Sequence, residues 1–291
     1  MLHMKKISIL FSLLIAGISL QAQVGLYSFR AFSSSFDTLV NATADNNLEA
    51  DDQVGAVVPI GFSFTYDGSS YSHVKASSNG WLSFDTTTIA STLSNDLDNS
   101  ATGIRPLLAP LWDDLSGDDS FCEAGYLTSG SSPNRVFTYE WKEWLWDYTS
   151  FNAVISFQVK LYEGSNKIEF RYKQEASAPS GPDASIGIAG SSTGTNNFLS
   201  LNGTGTNPSA SSSIESNLLS SRPATGQVYE FSPPKNRDAG IANIVGSVCP
   251  GSADVVAVLQ NYGLDTLTSA SIVWSVATDG GTPANQTGAS W

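Results

Sequence analysis

Strict alternation of apolar and polar side chains between residues 153 and 173 is the feature that most constrains the fold. Apolar residues occupy every second position in 155–161 and again in 168–172. Successive side chains of a β-strand point to opposite faces, so a period of two predicts strands with one apolar face. Glu163-Gly164-Ser165-Asn166 separates the two runs and predicts a turn, because glycine adopts a positive φ at little cost. The sequence therefore predicts a half-buried β-hairpin here.

Shorter runs of the same kind recur along the chain, separated by Gly, Asn, Asp and Ser. They predict strands at 62–66, 73–77, 81–85, 136–141, 185–189 and 228–231. No stretch after residue 22 has a sustained period of 3.6 residues. This pattern predicts an all-β fold, an antiparallel β-sandwich of jelly-roll-like type. The Ser- and Gly-rich segment 190–221 is predicted to be a long surface loop, in which residues 198–201 could form a short strand.

The N-terminus has the features of a secretory signal peptide. Lys5 and Lys6 precede an apolar run from Ile7 to Leu20, and a small residue, Ala22, stands at a plausible cleavage point. The run is short for a membrane span. We therefore expect residues 1–22 to be removed and the protein to be secreted or held at the outer cell surface, without membrane insertion.

The chain is strongly acidic. Its formal net charge is −13, and removal of residues 1–22 takes away two lysines and no acid. Such a charge repels nucleic acid and anionic membrane surfaces, so neither is expected as a partner.

The chain is predicted to contain two domains. The first covers 23–232, and Pro233 and Pro234 begin a linker at 233–237. Residues 238–291 predict three strands, at 239–244, 253–260 and 271–277. Because an immunoglobulin-like sandwich needs roughly 100 residues, we interpret this part as an incomplete domain and the chain as a fragment. Cys122 and Cys249 lie in different predicted domains and could form a disulfide or remain two unrelated thiols.

Four segments in this order resemble the nidogen-like extracellular domain and its bacterial relatives. They are FSFTYDGSSYSHVKASSNGWLSF at 62–84, LLAPLWDDL at 107–115, VISFQVKLYEGSNKIEFRY at 154–172 and ASIGI at 184–188. The segment 238–276 resembles the start of an immunoglobulin-like adhesion repeat. Such repeats follow similar sandwiches in large surface proteins of Bacteroidota, and the resemblance implies an extracellular, non-catalytic module from such a protein.

Few residues could support catalysis. His73 is the only histidine after residue 22, and its place in an alternating segment favours an ordinary strand residue. Gly190-Ser191-Ser192-Thr193-Gly194 matches the G-x-S-x-G pattern, but it lacks the strand-to-helix context of a nucleophile elbow. We therefore predict that the protein is not an enzyme.

Paired carboxylates occur at Asp51-Asp52, Asp113-Asp114 and Asp118-Asp119. They could be solvated turn residues, and a glycosidase would need two of them to face each other across a cleft. Calcium is the functional alternative that we favour, because a hard cation takes several oxygen ligands. The predicted ligands are Asp113, Asp114, Asp118 and Asp119, and no other cofactor is predicted.

Aromatic residues are unusually dense between 141 and 151. In an extended chain Trp144, Trp146 and Tyr148 share a face and could form a platform that stacks on sugar rings. The alternative is that this face completes the sandwich core. We predict a ligand-contacting loop at 144–151, at one end of the sandwich, where binding loops collect.

The function predicted from the sequence is adhesion or ligand binding at the cell surface without catalysis. The expected partner is an extracellular glycan or matrix protein. The alternative is a non-catalytic module of a larger secreted peptidase or glycosidase.

Overall fold

The computed structural model describes residues 23–88, 90–98, 103–235, 239–245, 256–261, 268–269, 271–276 and 284–290. Residues 23–233 lie in one compact unit, and the residues from Pro234 onward belong to another. The division falls within the predicted linker.

The first unit contains fifteen described strands and two short 3-10 turns, at Val24–Leu26 and Asn46–Leu48. The strands are β1 (Ser28–Ser33), β2 (Thr43–Ala44), β3 (Val58–Tyr66), β4 (Ser69–Ala76), β5 (Leu82–Ser83), β6 (Leu107–Trp112), β7 (Leu115–Ser116), β8 (Glu123–Ser129), β9 (Val136–Trp146), β10 (Ile155–Tyr162), β11 (Ile168–Gln174), β12 (Ser185–Ala189), β13 (Phe198–Leu201), β14 (Ala210–Ser211) and β15 (Gln227–Ser232).

These strands form two antiparallel sheets. The larger has the order β1-β15-β11-β10-β9-β8-β2, with β7 paired to the end of β9. The smaller has the order β14-β13-β12-β6-β5-β4-β3. One apolar core joins side chains of both sheets. The predicted all-β antiparallel sandwich is confirmed.

The predicted hairpin is β10 paired with β11, and its turn has Gly164 at φ 75° and Asn166 at φ 51°. The apolar positions 155, 157, 159 and 161 are completely buried, as predicted. The hairpin was predicted to be half-buried, but Ser156 and Gln158 on the opposite face are also buried. The reason is that a segment before β2 covers this face, where the Gln158 amide donates hydrogen bonds to the Asp37 carbonyl and the Glu140 carboxylate.

Polar groups of core aromatics link the two sheets. The Tyr172 hydroxyl on β11 donates to the Pro110 carbonyl on β6 at 2.6 Å. The Trp141 indole on β9 donates to the Ser77 carbonyl, just after β4, at 2.9 Å. These bonds satisfy the polar ends of large apolar side chains, which can then be buried without an unpaired donor.

The outer face of the smaller sheet has an apolar layer of its own. Trp81 and Trp112 are completely buried there, and both indoles donate to the Thr92 carbonyl, at 3.1 and 2.9 Å. The segment around Thr92 therefore covers this face and is fixed above it.

The second unit contains four described strands in two hairpins. β16 (Ala239–Val245) pairs with β17 (Val256–Asn261), and β18 (Ser271–Val276) pairs with β19 (Ala284–Ser290). Three of these correspond to the predicted strands, and β19 was not predicted. The immunoglobulin-like character of this unit stays a prediction. In the described part of the chain no helix is long and apolar enough to cross a membrane.

Candidate functional site

The turn Ser78-Asn79-Gly80 anchors one end of the sandwich. Gly80 has φ 77°, and a Cβ at this position would lie 1.9 Å from the Leu111 carbonyl oxygen. Only glycine fits, because both the backbone conformation and the close approach exclude a side chain. The Asn79 carbonyl accepts a hydrogen bond from the Asp113 amide at 3.3 Å. The turn therefore packs directly against the end of β6, and Asp113 and Asp114 are the two residues that follow this strand.

The structure corrects the predicted aromatic platform. β9 continues to Trp146 instead of ending at Trp141, and Trp144 and Trp146 are 0% and 1% exposed. The Trp144 indole donates to the Ser78 carbonyl at 2.8 Å, and the Trp146 indole donates to Asp113 Oδ2 at 2.5 Å. Each indole N–H has a buried acceptor. Both rings can therefore be buried without leaving a hydrogen-bond donor unpaired. They are core residues and cannot stack on a sugar.

Tyr148 alone among the three predicted platform residues is exposed. Its exposed fraction is 60%, and that of Phe151 is 82%. Both lie between β9 and β10, where Asp147 has φ 90° and its Oδ1 accepts hydrogen bonds from the Thr149 amide and hydroxyl. The predicted ligand-contacting loop is therefore shorter than 144–151 and begins after Trp146.

The predicted calcium ligands are not brought together as one set. Asp113 is buried and accepts hydrogen bonds from the Trp146 indole, the Asp183 amide and the Asp114 amide. Asp118 is exposed, and Asp119 Oδ1 accepts from the Ser120 amide at 2.6 Å. The physical reason is that Leu115–Ser116 pairs with β9 and separates Asp118 and Asp119 from the end of β6.

Asp114 instead joins two carboxylates from a distant part of the sequence. One oxygen each of Asp51, Asp52 and Asp114 lies within 4.8 Å of the others. Partial burial, followed by the neighbouring carboxylates, raises the pKa of Asp51 and of Asp114 above the usual range. The sequence showed the pair Asp51-Asp52, but nothing local indicated that it would meet Asp114.

A cavity of about 390 Å³ opens beside this cluster. Four carboxylates line it, and they come from Asp113, Asp114, Asp147 and Asp183. Leu93 and Trp146 contribute apolar surface. Burial raises the pKa of Asp113 to about 6, while its hydrogen-bond donors act in the opposite direction. The cavity presents hydrogen-bond acceptors and negative charge, which suit cationic groups and hydroxyl-bearing ligands.

The residues considered for catalysis are not organised as a site. His73 is exposed on β4, and its Nδ1 lies 2.9 Å from the Oγ of its neighbour Ser72. Among the hydrogen bonds of the described residues, none joins this imidazole to a carboxylate. Ser191, in the G-x-S-x-G segment, donates from its amide and its hydroxyl to Asp67, which ties the loop after β12 to the turn after β3.

Cys122 is buried and is not bonded to another cysteine among the described residues. Its Sγ donates to the Glu143 carbonyl at 3.2 Å. Cys249 lies outside the described residues, so the alternative of a disulfide stays open.

Comparison with known proteins gives one match. A family model described as NIDO related matches residues 26–233, which is more than half of the chain and coincides with the sandwich. No curated protein and no solved structure matches the chain.

Proposed function

The chain belongs to the NIDO-related family, and on this basis we propose that it is an extracellular, non-catalytic module that binds a ligand at the acidic end of its sandwich. The proposal places the protein at the outer surface of the cell, after removal of residues 1–22. The resemblance of 238–276 to adhesion repeats of Bacteroidota surface proteins supports a role in adhesion.

The acidic cavity is the observation that carries this proposal. It is open, it lies where loops from both sheets meet, and four carboxylates line it. The exposed aromatic rings of Tyr148 and Phe151 belong to the loop that also supplies Asp147. A rigid scaffold that presents polar loops and a few exposed aromatics at one end is typical of binding modules.

The negative charge of the cavity limits the classes of ligand that we expect it to bind. Acidic glycans would be repelled, since the cavity-lining carboxylates are negative and the whole chain has a formal net charge of −13. A positively charged patch on a matrix protein fits better, because carboxylates form charge-assisted hydrogen bonds with lysine and arginine. A neutral glycan is the second candidate, favoured by the exposed Tyr148 ring.

The non-catalytic part of the proposal rests on the available chemistry. The chain has one histidine after residue 22, and it is exposed beside Ser72. The carboxylate of Asp113 already accepts hydrogen bonds from the Trp146 indole and the Asp183 amide. Assays of residues 23–291 on peptide, ester and glycoside libraries should show no turnover. Turnover that a single Asp→Asn change abolishes would contradict this part.

Binding can be tested on arrays of matrix proteins and neutral glycans. We expect the combined change Asp147→Asn and Asp183→Asn to abolish binding without lowering the melting temperature, since neither side chain is buried. A matched control, Asp37→Asn with Glu123→Gln, removes the same charge at exposed positions on or beside the larger sheet. Equal loss of binding in both pairs would show a general charge effect, and retained binding in the first pair would exclude the cavity.

The alternative is a non-catalytic module of a larger secreted peptidase or glycosidase. The sequence of the complete gene distinguishes the two. Further adhesion repeats would support the first proposal, and a catalytic domain would support the second.

A further inference from the structure

Three chain segments that are far apart in sequence converge beside the acidic cavity. They supply Asp51 and Asp52, Asn79, and Asp114. Asp52 has φ 52°, and the Asn79 turn is fixed by the close approach of Gly80 to β6. Three carboxylate oxygens lie within 4.8 Å of one another, which is close for groups that repel each other.

Asn79 gives an independent indication of a ligand. Its side chain is completely buried, and its Nδ2 donates to Asp52 Oδ1 at 2.8 Å and to Ser91 Oγ at 3.2 Å. The Oδ1 of the same amide is buried and has no hydrogen-bond donor among the described residues. The Asp52 contact orients the amide, because the opposite orientation would place Oδ1 against a carboxylate.

Asp51 also has a buried oxygen that accepts no hydrogen bond from a described residue. This oxygen is Oδ1, and its carboxylate belongs to the cluster. Buried acceptors without donors are rare in folded proteins, and a bound ion is one recognised explanation. One of these oxygens belongs to the cluster itself, and the other belongs to an amide that contacts the cluster through Asp52; together they indicate a positively charged occupant.

We propose that Asp51, Asp52, Asp114 and Asn79 form a calcium-binding site. They would offer calcium three carboxylates and an amide oxygen, which are ligand types that calcium uses in irregular loops. Magnesium demands a stricter octahedral arrangement and is reluctant to lose water, so it is expected to bind more weakly. An ion here would join the segment before β3, the turn after β4 and the end of β6. The site does not depend on the identity of the ligand in the cavity.

Calorimetric titration of calcium-free protein, residues 23–291, tests this proposal. We expect one calcium site with a Kd of about 10⁻⁴ to 10⁻³ M, the range of extracellular modules, and a rise in melting temperature at saturating calcium. The combined change Asp51→Asn and Asp114→Asn should weaken calcium binding at least about tenfold, since ligand charge sets affinity. In chelator its melting temperature should equal or exceed that of the unchanged protein, because like-charge repulsion is removed.

The matched control is Asp118→Asn with Asp119→Asn, which removes the same charge from the other candidate residues. It should weaken calcium binding much less than the first pair does, because Asp118 influences Asp51 only through its charge. If the first pair failed to fold, Asp52→Asn alone would replace it, since Asp52 is exposed. The proposal is overturned by no calcium binding at millimolar concentration, by magnesium binding as tight as calcium binding, or by loss of binding in the control pair only.

Discussion

The Trp146 indole donates a hydrogen bond to the Asp113 carboxylate at 2.5 Å, and both side chains are buried. The same Asp113 oxygen accepts from the Asp183 amide at 3.0 Å. One carboxylate thus connects the end of β9 with the segment before β12. The bond to Asp113 satisfies the Trp146 indole, which can therefore belong to the core. Asp113 is an unsuitable calcium ligand, because both of its carboxylate oxygens already accept hydrogen bonds.

The buried tryptophans of β9 should dominate stability at this end. We expect Trp144→Ala to lower the free energy of unfolding by about 3–5 kcal/mol, because it leaves a large cavity and an unpaired Ser78 carbonyl. Denaturant unfolding measures the change. Tyr148→Ala, at a position 60% exposed, should stay within about 0.5 kcal/mol of the unchanged protein. A small effect at Trp144 would mean that the ring is not part of the core.

Gly80→Ala should be more disruptive than any other single-methyl change in the turn after β4. Its φ of 77° strains an alanine, and the new methyl would lie 1.9 Å from the Leu111 carbonyl oxygen. We expect a loss of more than about 3 kcal/mol or failure to fold. Gly203→Ala serves as control, since a Cβ there meets nothing within 4 Å. Equal stability of the two variants in denaturant unfolding would contradict the described turn geometry.

The sequence predicted the elements whose information is local. The β10–β11 hairpin followed from alternation and from a glycine-containing turn, and both are properties of neighbouring residues. β6 lacks alternation because both of its faces are buried, so periodicity gave no signal for it, although its segment belongs to the family resemblance.

The end of β9 was mispredicted for a different reason. Glu143 has φ 56°, and the pairing of β9 with β10 shifts in register between Ile155 and Phe157. A β-bulge of this kind inserts a residue and interrupts the period of two, so that Trp141 and Trp144 are both buried. The acidic cluster could not be predicted either, because Asp51 and Asp114 are brought together by the packing of the sheets and not by spacing along the chain.

Cys122 should react slowly with alkylating reagents in the folded protein. Burial raises the pKa of its thiol to about 12, so little thiolate exists at pH 8, and the side chain is 3% exposed. We expect iodoacetamide to modify Cys122 only after denaturation, as measured by peptide mass spectrometry. Rapid modification in the native state would contradict the burial. A peptide containing both Cys122 and Cys249 in a non-reducing digest would show instead that they form a disulfide.

Glu215 should make stability depend on pH. Partial burial and the neighbouring Asp96 raise the pKa of Glu215 to about 7, although the Leu97 and Asp98 amides donate to its carboxylate. The folded state therefore holds the proton more tightly than the unfolded state, whose glutamate has the ordinary value of 4.5. This contribution to stability is complete below about pH 4.5 and is lost as the pH rises through about 7.

Glu215→Gln removes this titration, and its effect is best measured as the melting temperature of the variant minus that of the unchanged protein. The difference should become more positive from pH 5 to pH 8, because the unchanged protein loses its protonated form over this interval while the amide stays neutral. Glu123→Gln makes the same chemical change at an exposed position and serves as the control. A difference for Glu215→Gln that stays constant, or becomes more negative with rising pH, would show that the carboxylate is already ionised throughout this range in the folded protein.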